Sequence, residues 1–139
     1  MKFVSYRVVN RESWGVIGAD GGVVDLCAEF GNDMPTLRDY LAASDADKAK
    51  VAEYLGTGFG GHAGKASDFP MRDITLREPI TNPGKILCIG LNYRKHAAEA
   101  GLPVPSYPLI FPRWPESHVA HGQPLLAPRE SHQFDYEGE

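Results

Sequence analysis

Apolar and polar positions alternate along the first part of the chain as they do in half-buried strands. Residues 2–9, KFVSYRVV, have a period of two, and residues 13–18 and 22–26 predict two further strands. The Asp20-Gly21-Gly22 turn between these two strands favours a hairpin. The pattern therefore predicts a small antiparallel sheet at the beginning of the chain.

Two helices are expected after this sheet. Pro35 is predicted in the first turn of a helix that presents Leu37, Tyr40 and Leu41 at helical spacing, and a second helix is predicted from about Asp45 to Leu55, ending at Gly56. Sheet and helices together predict an α+β unit. Its shared core is expected to contain Phe3, Val16, Leu37 and Leu41 and to exclude Ile86 and Ile89.

The pattern changes in the middle of the chain. Residues 56–84 are rich in Gly, Asp, Ser and Pro, which predicts a linker and a domain boundary near residue 78. The apolar run at 85–89, KILCI, predicts a strand buried on both faces. A second core is therefore expected to begin here.

A short helix and another strand are predicted after this run. The helix is expected from about Arg94 to Ala100, with Asn92 as its cap and Gly101 at its end. Residues 109–111 predict a second buried strand, and residues 112–129 predict a long loop. Loops of such length are usually functional or mobile.

Composition narrows the class of protein. The 139 residues are 42% hydrophobic and 23% charged, and the net charge of −4 is spread without a basic cluster, which argues against nucleic acid as a partner. No apolar run approaches the ~20 residues of a membrane span, so no membrane association is expected. Cys27 and Cys88 lack a paired spacing. Reduced cysteines and a cytoplasmic location are therefore predicted.

Two pairs of side chains could carry chemistry. His96 and Glu99 lie three residues apart on the predicted helix, so the carboxylate could orient the imidazole as a general base. Glu137 and Glu139 lie two apart, and on a strand both would project from one face toward a hard cation. The alternatives are an exposed helical pair and a solvated acidic segment.

Three further residues have open interpretations. Arg113 could bind a substrate carboxylate through two parallel hydrogen bonds, or it could be a surface arginine. His118 and His121 could be zinc ligands, although no second Cys or His pair at metal spacing follows them. A structural zinc protein therefore stays as an alternative.

The order of three segments points to a family. KILCIGLNYRKHAAEAGLPVP, LIFPRWPESHVAHGQPLLAPRESHQ and FDYEGE together resemble the fumarylacetoacetate hydrolase family over about residues 83–139. The resemblance implies a small amino-terminal α+β domain at 1–78, followed at 79–139 by the beginning of a mixed β-roll catalytic domain. It also implies that a third metal-binding carboxylate, an Asp, follows beyond these residues, so this chain alone is expected to be truncated and inactive.

The resemblance also implies the roles of individual residues. Glu137 and Glu139 would bind Mg²⁺ or Mn²⁺, with Ca²⁺ also possible, while His96 would be the base and Glu99 its partner. Tyr93, Arg113 and Ser117 would contact the substrate, although the family more often has Lys at the position of Arg113. A homodimer is expected when the protein is complete.

The implied activity is a metal-dependent hydrolysis of a carbon–carbon bond in a small diketo-acid or acylpyruvate, of the kind used in aromatic compound catabolism. A metal would stabilise the enolate, and the His–Glu pair would activate water. The alternatives are an isomerase, decarboxylase or dehydratase acting on related small acids, such as 2-oxo or 2-hydroxydienoic acids, and a non-catalytic fragment or binding module.

Overall fold

The computed structural model describes residues 1–56 and 64–133. Contacts divide the chain into two units. The first is Met1–Asn82 with Val119–Pro124, and the second is Pro83–His118 with the residues that follow Pro124. The division falls after Asn82, and a domain boundary near residue 78 stays a prediction. Helices and antiparallel sheets occur together, which confirms the predicted α+β class.

The first unit is built on a four-stranded antiparallel sheet in the order β3-β2-β1-β4. Its strands are β1 (Phe3–Val8), β2 (Arg11–Ile17), β3 (Val23–Asp25) and β4 (Thr75–Leu76). The predicted hairpin between β2 and β3 is confirmed. Gly21 has a φ of +80° in its turn, a conformation that glycine adopts without a steric penalty.

Three helices follow the first three strands, namely α1 (Leu26–Phe30), α2 (Leu37–Ala42) and α3 (Asp45–Tyr54). The predicted second helix is confirmed as α3, which Ser44 caps and after which Gly56 has a φ of +67°. Pro35 lies outside α2, so its predicted place in the first turn is wrong. The helix starts instead where Thr36 forms a capping box with Asp39.

The main core lies between one face of the sheet and these helices. Trp14 stacks on Tyr40 with ring centroids 5.2 Å apart, and its indole nitrogen donates to the carbonyl of Met34 at 2.8 Å. Phe3, Val16 and Leu37 belong to this core as predicted. Leu41 does not, because its side chain is 52% exposed on the solvent side of α2. The prediction for Leu41 was therefore wrong.

Most of the described part of the predicted linker, residues 64–82, belongs to the first unit. β4 pairs with β1 through Tyr6 and Leu76, and the amide of Val23 donates to the carbonyl of Phe69 at 2.8 Å. Phe69 and Ile74 pack on the second face of the sheet beside Tyr6. The prediction of a linker was wrong here, because apolar groups too short to show a period still supply an edge strand.

The second unit contains a two-stranded antiparallel sheet of β5 (Ile86–Gly90) and β6 (Leu109–Arg113), with α4 (Arg94–Glu99) between them in sequence. Side chains alternate between its two faces. Leu87, Ile89 and Ile110 share one face and are 60%, 37% and 61% exposed. The prediction that both strands are buried was therefore wrong, since among the described residues this face has no covering layer. In the described ranges, no helix has the length and apolar character needed to cross a bilayer.

Candidate active site

The helix α4 holds the predicted base and its partner. His96 and Glu99 both fall within its six residues, three positions apart, and both are exposed. Residues at this spacing lie on the same face of a helix. The two side chains share no hydrogen bond or ion pair among the described residues, so the predicted pairing of Glu99 with His96 would require rotation of both exposed side chains.

The chain enters α4 through a tight turn. β5 ends at Gly90, Leu91 has a φ of +53°, and Tyr93 occupies the N-cap position with extended backbone angles. The amide of Ala97 closes the first turn on the carbonyl of Tyr93 at 3.1 Å. The predicted cap, Asn92, therefore lies one residue before the observed one, and no side chain caps the helix.

The end of α4 agrees with the sequence. Gly101 has a φ of +65°, its amide donates to the carbonyl of Ala98, and the amide of Leu102 donates to that of Ala97. These two hydrogen bonds form a Schellman motif, which needs a residue in the left-handed conformation. The helix is therefore terminated by local backbone chemistry at the predicted glycine.

Arg113 lies at the far end of the β5–β6 ladder from the entry to α4. It is the last residue of β6 and pairs with Ile86, whereas Gly90 at the other end pairs with Leu109. Four residue steps of strand correspond to roughly 13 Å. The guanidinium carbon of Arg113 lies 5.9 Å from the centre of the Phe111 ring, which supports its half-buried side chain.

Ser117 follows Arg113 in a short 3₁₀ turn, Pro115–Ser117. Its hydroxyl donates to the carbonyl of Trp114 at 2.8 Å, and its amide donates to the same carbonyl at 2.9 Å. The only proton of the hydroxyl is thereby used, so Ser117 can accept a hydrogen bond but cannot also donate one. Tyr93, the other predicted substrate contact, is 69% exposed.

The predicted metal ligands, Glu137 and Glu139, lie outside the described residues. Within the described ranges, no three His, Cys, Asp or Glu side chains converge as a metal site would require. His118 and His121 therefore have no third ligand there, which leaves the zinc alternative without support. The chemistry of two carboxylates still fits Mg²⁺ or Mn²⁺, because hard cations prefer oxygen ligands.

A buried polar cluster in the first unit was missed by the sequence interpretation. The Asp25 carboxylate is 3% exposed and accepts hydrogen bonds from the Arg11 guanidinium, from the Ser13 hydroxyl at 2.6 Å and from the Ala28 amide at 3.2 Å. Burial raises the pKa of Asp25, but the bonds from Arg11 and Ser13 outweigh it and hold that pKa below its ordinary value. An Asp directly before an apolar helix start is the signal that could have predicted this cap.

Comparisons with known proteins agree on one family. Residues 85–139 match the family model described as "Fumarylacetoacetate (FAA) hydrolase C-terminal". The bovine protein named "Oxaloacetate tautomerase FAHD2A, mitochondrial" is 32% identical over 123 residues, which cover 88% of this chain and 37% of the bovine protein. A Dictyostelium discoideum protein named "Fumarylacetoacetate hydrolase domain-containing protein 2 homolog" is 30% identical over 142 residues, covering 100% of this chain and 44% of that protein.

The chain belongs to the fumarylacetoacetate hydrolase family, as its three segments indicated. A Xenopus laevis relative, "Oxaloacetate tautomerase fahd2, mitochondrial", is 46% identical over 67 residues, which cover 48% of this chain and 21% of that relative. The chain thus spans less than half the length of these curated relatives.

The predicted cytoplasmic location is contradicted by these relatives, because the bovine and human proteins are named as mitochondrial. The prediction rested on cysteine usage, and two cysteines without a paired spacing indicate only a reducing environment. This usage does not distinguish one reducing compartment from another.

Proposed function

We propose that the protein containing this chain acts on a small oxo-acid through its enol form, and that its reaction is the keto–enol tautomerisation of oxaloacetate. The observation that carries the proposal is the 32% identity to a protein named oxaloacetate tautomerase, over 88% of this chain. A mitochondrial location, as the names of the relatives state, is part of the proposal.

The reaction needs a base that can both remove and return a proton. In tautomerisation a C–H bond beside the keto group breaks and an O–H bond forms on the keto oxygen, so atoms and electrons balance within one molecule. His96 is suited to this transfer because imidazole accepts and donates protons near neutral pH. Its exposure on α4 leaves the ring accessible, and Glu99 on the same face would orient it.

Binding of the acid calls for positive charge at two places. Glu137 and Glu139 would hold Mg²⁺ or Mn²⁺, and when bound this ion would polarise the keto oxygen of the substrate. Arg113 would hold the second carboxylate, because a guanidinium pairs with a carboxylate through two parallel hydrogen bonds. Oxaloacetate is a dicarboxylic oxo-acid, so it would offer its keto oxygen to the metal ion and its second carboxylate to Arg113.

Carbon–carbon bond hydrolysis of a diketo-acid or acylpyruvate is the second candidate. It is favoured by the exposure of both His96 and Glu99, since a base open to solvent can take a proton from water. The water would attack the distal carbonyl, and the bond to the neighbouring carbon would break to leave the enol of the oxo-acid. Decarboxylation or isomerisation would use the same enol.

The test is to replace His96 by Ala in the protein that contains this chain, with Mg²⁺ or Mn²⁺ present. Loss of a general base should lower kcat for oxaloacetate tautomerisation by about 10²- to 10⁴-fold with little change in KM. His132→Ala is the matched control, because His132 is another exposed histidine of the same chain. Its kcat should equal that of the unmodified protein.

Two results would decide against parts of this proposal. Undiminished turnover in His96→Ala would remove His96 as the base. Release of two products from an acylpyruvate, without tautomerisation of oxaloacetate, would replace the first candidate by carbon–carbon bond hydrolysis.

A further inference from the structure

We propose that Leu91 is a positioning residue of the candidate active site, whose left-handed backbone fixes the direction in which α4 leaves β5. The inference rests on the proposed function, in which α4 carries the base His96. Leu91 does not itself act on the substrate. Its part is to place the residues that do.

The observation is the backbone of Leu91, with a φ of +53°. Among the described residues other than glycine, only Val9 shares a positive φ, at +54°. L-residues avoid this region because Cβ approaches the following carbonyl oxygen, and Gly and Asn adopt it more easily than Leu. Such a conformation persists only where the surrounding structure holds it, and it is common at functional sites.

Leu91 lies in the turn between β5 and α4. On one side, Gly90 is paired with Leu109 in the β5–β6 ladder. On the other side, Tyr93 already accepts the first hydrogen bond of α4. A change of φ at Leu91 to the usual negative value would change the direction of α4 relative to β5.

Packing gives α4 little other support. Ala97, 1% exposed, is the only residue of α4 that is buried, and no side chain caps the start of the helix. A short helix with one buried methyl group is weakly held by its contacts. We therefore infer that the backbone turn at Leu91 largely determines the orientation of α4 and the position of His96.

The test compares two substitutions at this position in the protein that contains the chain. Leu91→Gly permits many backbone conformations, so kcat for the oxo-acid should fall about tenfold, because small misplacements of a catalytic group are costly. KM should change less than about twofold, since α4 is not the proposed carboxylate anchor. Leu91→Asn loses the same apolar side chain but tolerates the left-handed region, so its kcat should stay within about threefold.

A matched control exists in the first unit. Val9, in the turn between β1 and β2, has almost the same φ and is 87% exposed. Val9→Gly gives the same backbone freedom on a different element, so kcat should not change. A melting temperature measured for each variant shows that the folded state is retained.

A second readout is independent of turnover. The amides of Ala97 and Ala100 donate to the carbonyls of Tyr93 and His96, and their hydrogen exchange reports how firmly α4 is held. Exchange at both amides should be several-fold faster in Leu91→Gly than in the unmodified protein or in Leu91→Asn. Val9→Gly should leave it unchanged.

The outcomes separate the two proposals. Unchanged kcat together with unchanged exchange in Leu91→Gly would overturn the positioning role. An equal loss of kcat in Leu91→Asn and Leu91→Gly would overturn it too, because the lost side chain would then explain both. If the unmodified protein turns over no oxo-acid, the proposed function fails. Faster amide hydrogen exchange confined to Leu91→Gly would still support the role of Leu91 in positioning α4.

Discussion

Replacement of Asp25 by Ala should destabilise the first unit more than any change at an exposed acid. The carboxylate is almost fully buried and accepts hydrogen bonds from Arg11, from Ser13 at 2.6 Å and from the Ala28 amide, which it caps at the start of α1. The substitution removes all three bonds at once. It also leaves the hydroxyl of Ser13, a buried residue, without its acceptor.

The magnitude follows from these contacts. Loss of the helix cap costs about 1 kcal/mol, and loss of hydrogen bonds to a charged group costs about 1.5–3 kcal/mol. The side chain of Arg11 is 46% exposed and can be solvated by water, so the loss of its hydrogen bond to Asp25 adds little to the destabilisation. A total of about 2–4 kcal/mol should lower the melting temperature of the first unit by on the order of 10–20 °C.

Low pH should remove the contribution of Asp25 to the stability of the folded state. The folded-state pKa of Asp25 lies below its ordinary value, so its charge contributes stability that is complete above the unfolded pKa, about 3.9. That contribution is lost as the pH falls through the folded-state pKa. The unfolding free energy of the unmodified chain should therefore approach that of Asp25→Asn as the pH drops below about 4.

The assay is thermal and urea unfolding of the 139-residue chain, followed by the fluorescence of buried Trp14. Trp114→Phe serves as background because Trp114 is 78% exposed and would dilute the signal. Asp33→Asn is the control, since Asp33 is an exposed acid of the same unit. Equal melting temperatures for Asp25→Ala and Asp33→Asn would refute the reasoning.

Two further predictions concern the second unit. Arg113→Lys, in the protein that contains this chain, should raise KM for a dicarboxylic oxo-acid about tenfold with kcat nearly unchanged, because lysine cannot form the bidentate pair. An unchanged KM would remove Arg113 as the carboxylate anchor. Ile110→Lys should reduce concentration-dependent light scattering of the 139-residue chain, because Ile110 is 61% exposed opposite Ile89, on the apolar sheet face that also carries Leu87. Val9→Lys is the control, and equal scattering in both variants would count against this face.

The sequence identified those parts of the fold that local chemistry determines. The helix α3 lies where Ser44 and Gly56 place its ends, and the turn at Gly21 joins two strands as its spacing indicated. Gly101 ends α4 through hydrogen bonds made within a few residues. Such signals depend on neighbours in sequence, so they can be interpreted without knowledge of the fold.

The candidate site was predictable only in part for the same reason. The spacing of His96 and Glu99 predicted their common helix, because three residues along a helix return to the same face. The left-handed backbone of Leu91 has no sequence signal, since the residue types that favour this conformation are glycine and asparagine. The place of Arg113 at the far end of the ladder follows only from the strand register.

Pairing and burial were decided by tertiary structure. β4 is two residues long and gains its partner from Tyr6 and Arg7, some seventy residues earlier, so no local pattern could reveal it. Leu41 and Ile110 are apolar like their buried neighbours, yet both are more than half exposed. Apolar character shows only that a side chain gains free energy by leaving water, whereas its burial depends on whether another element covers that face of the helix or sheet.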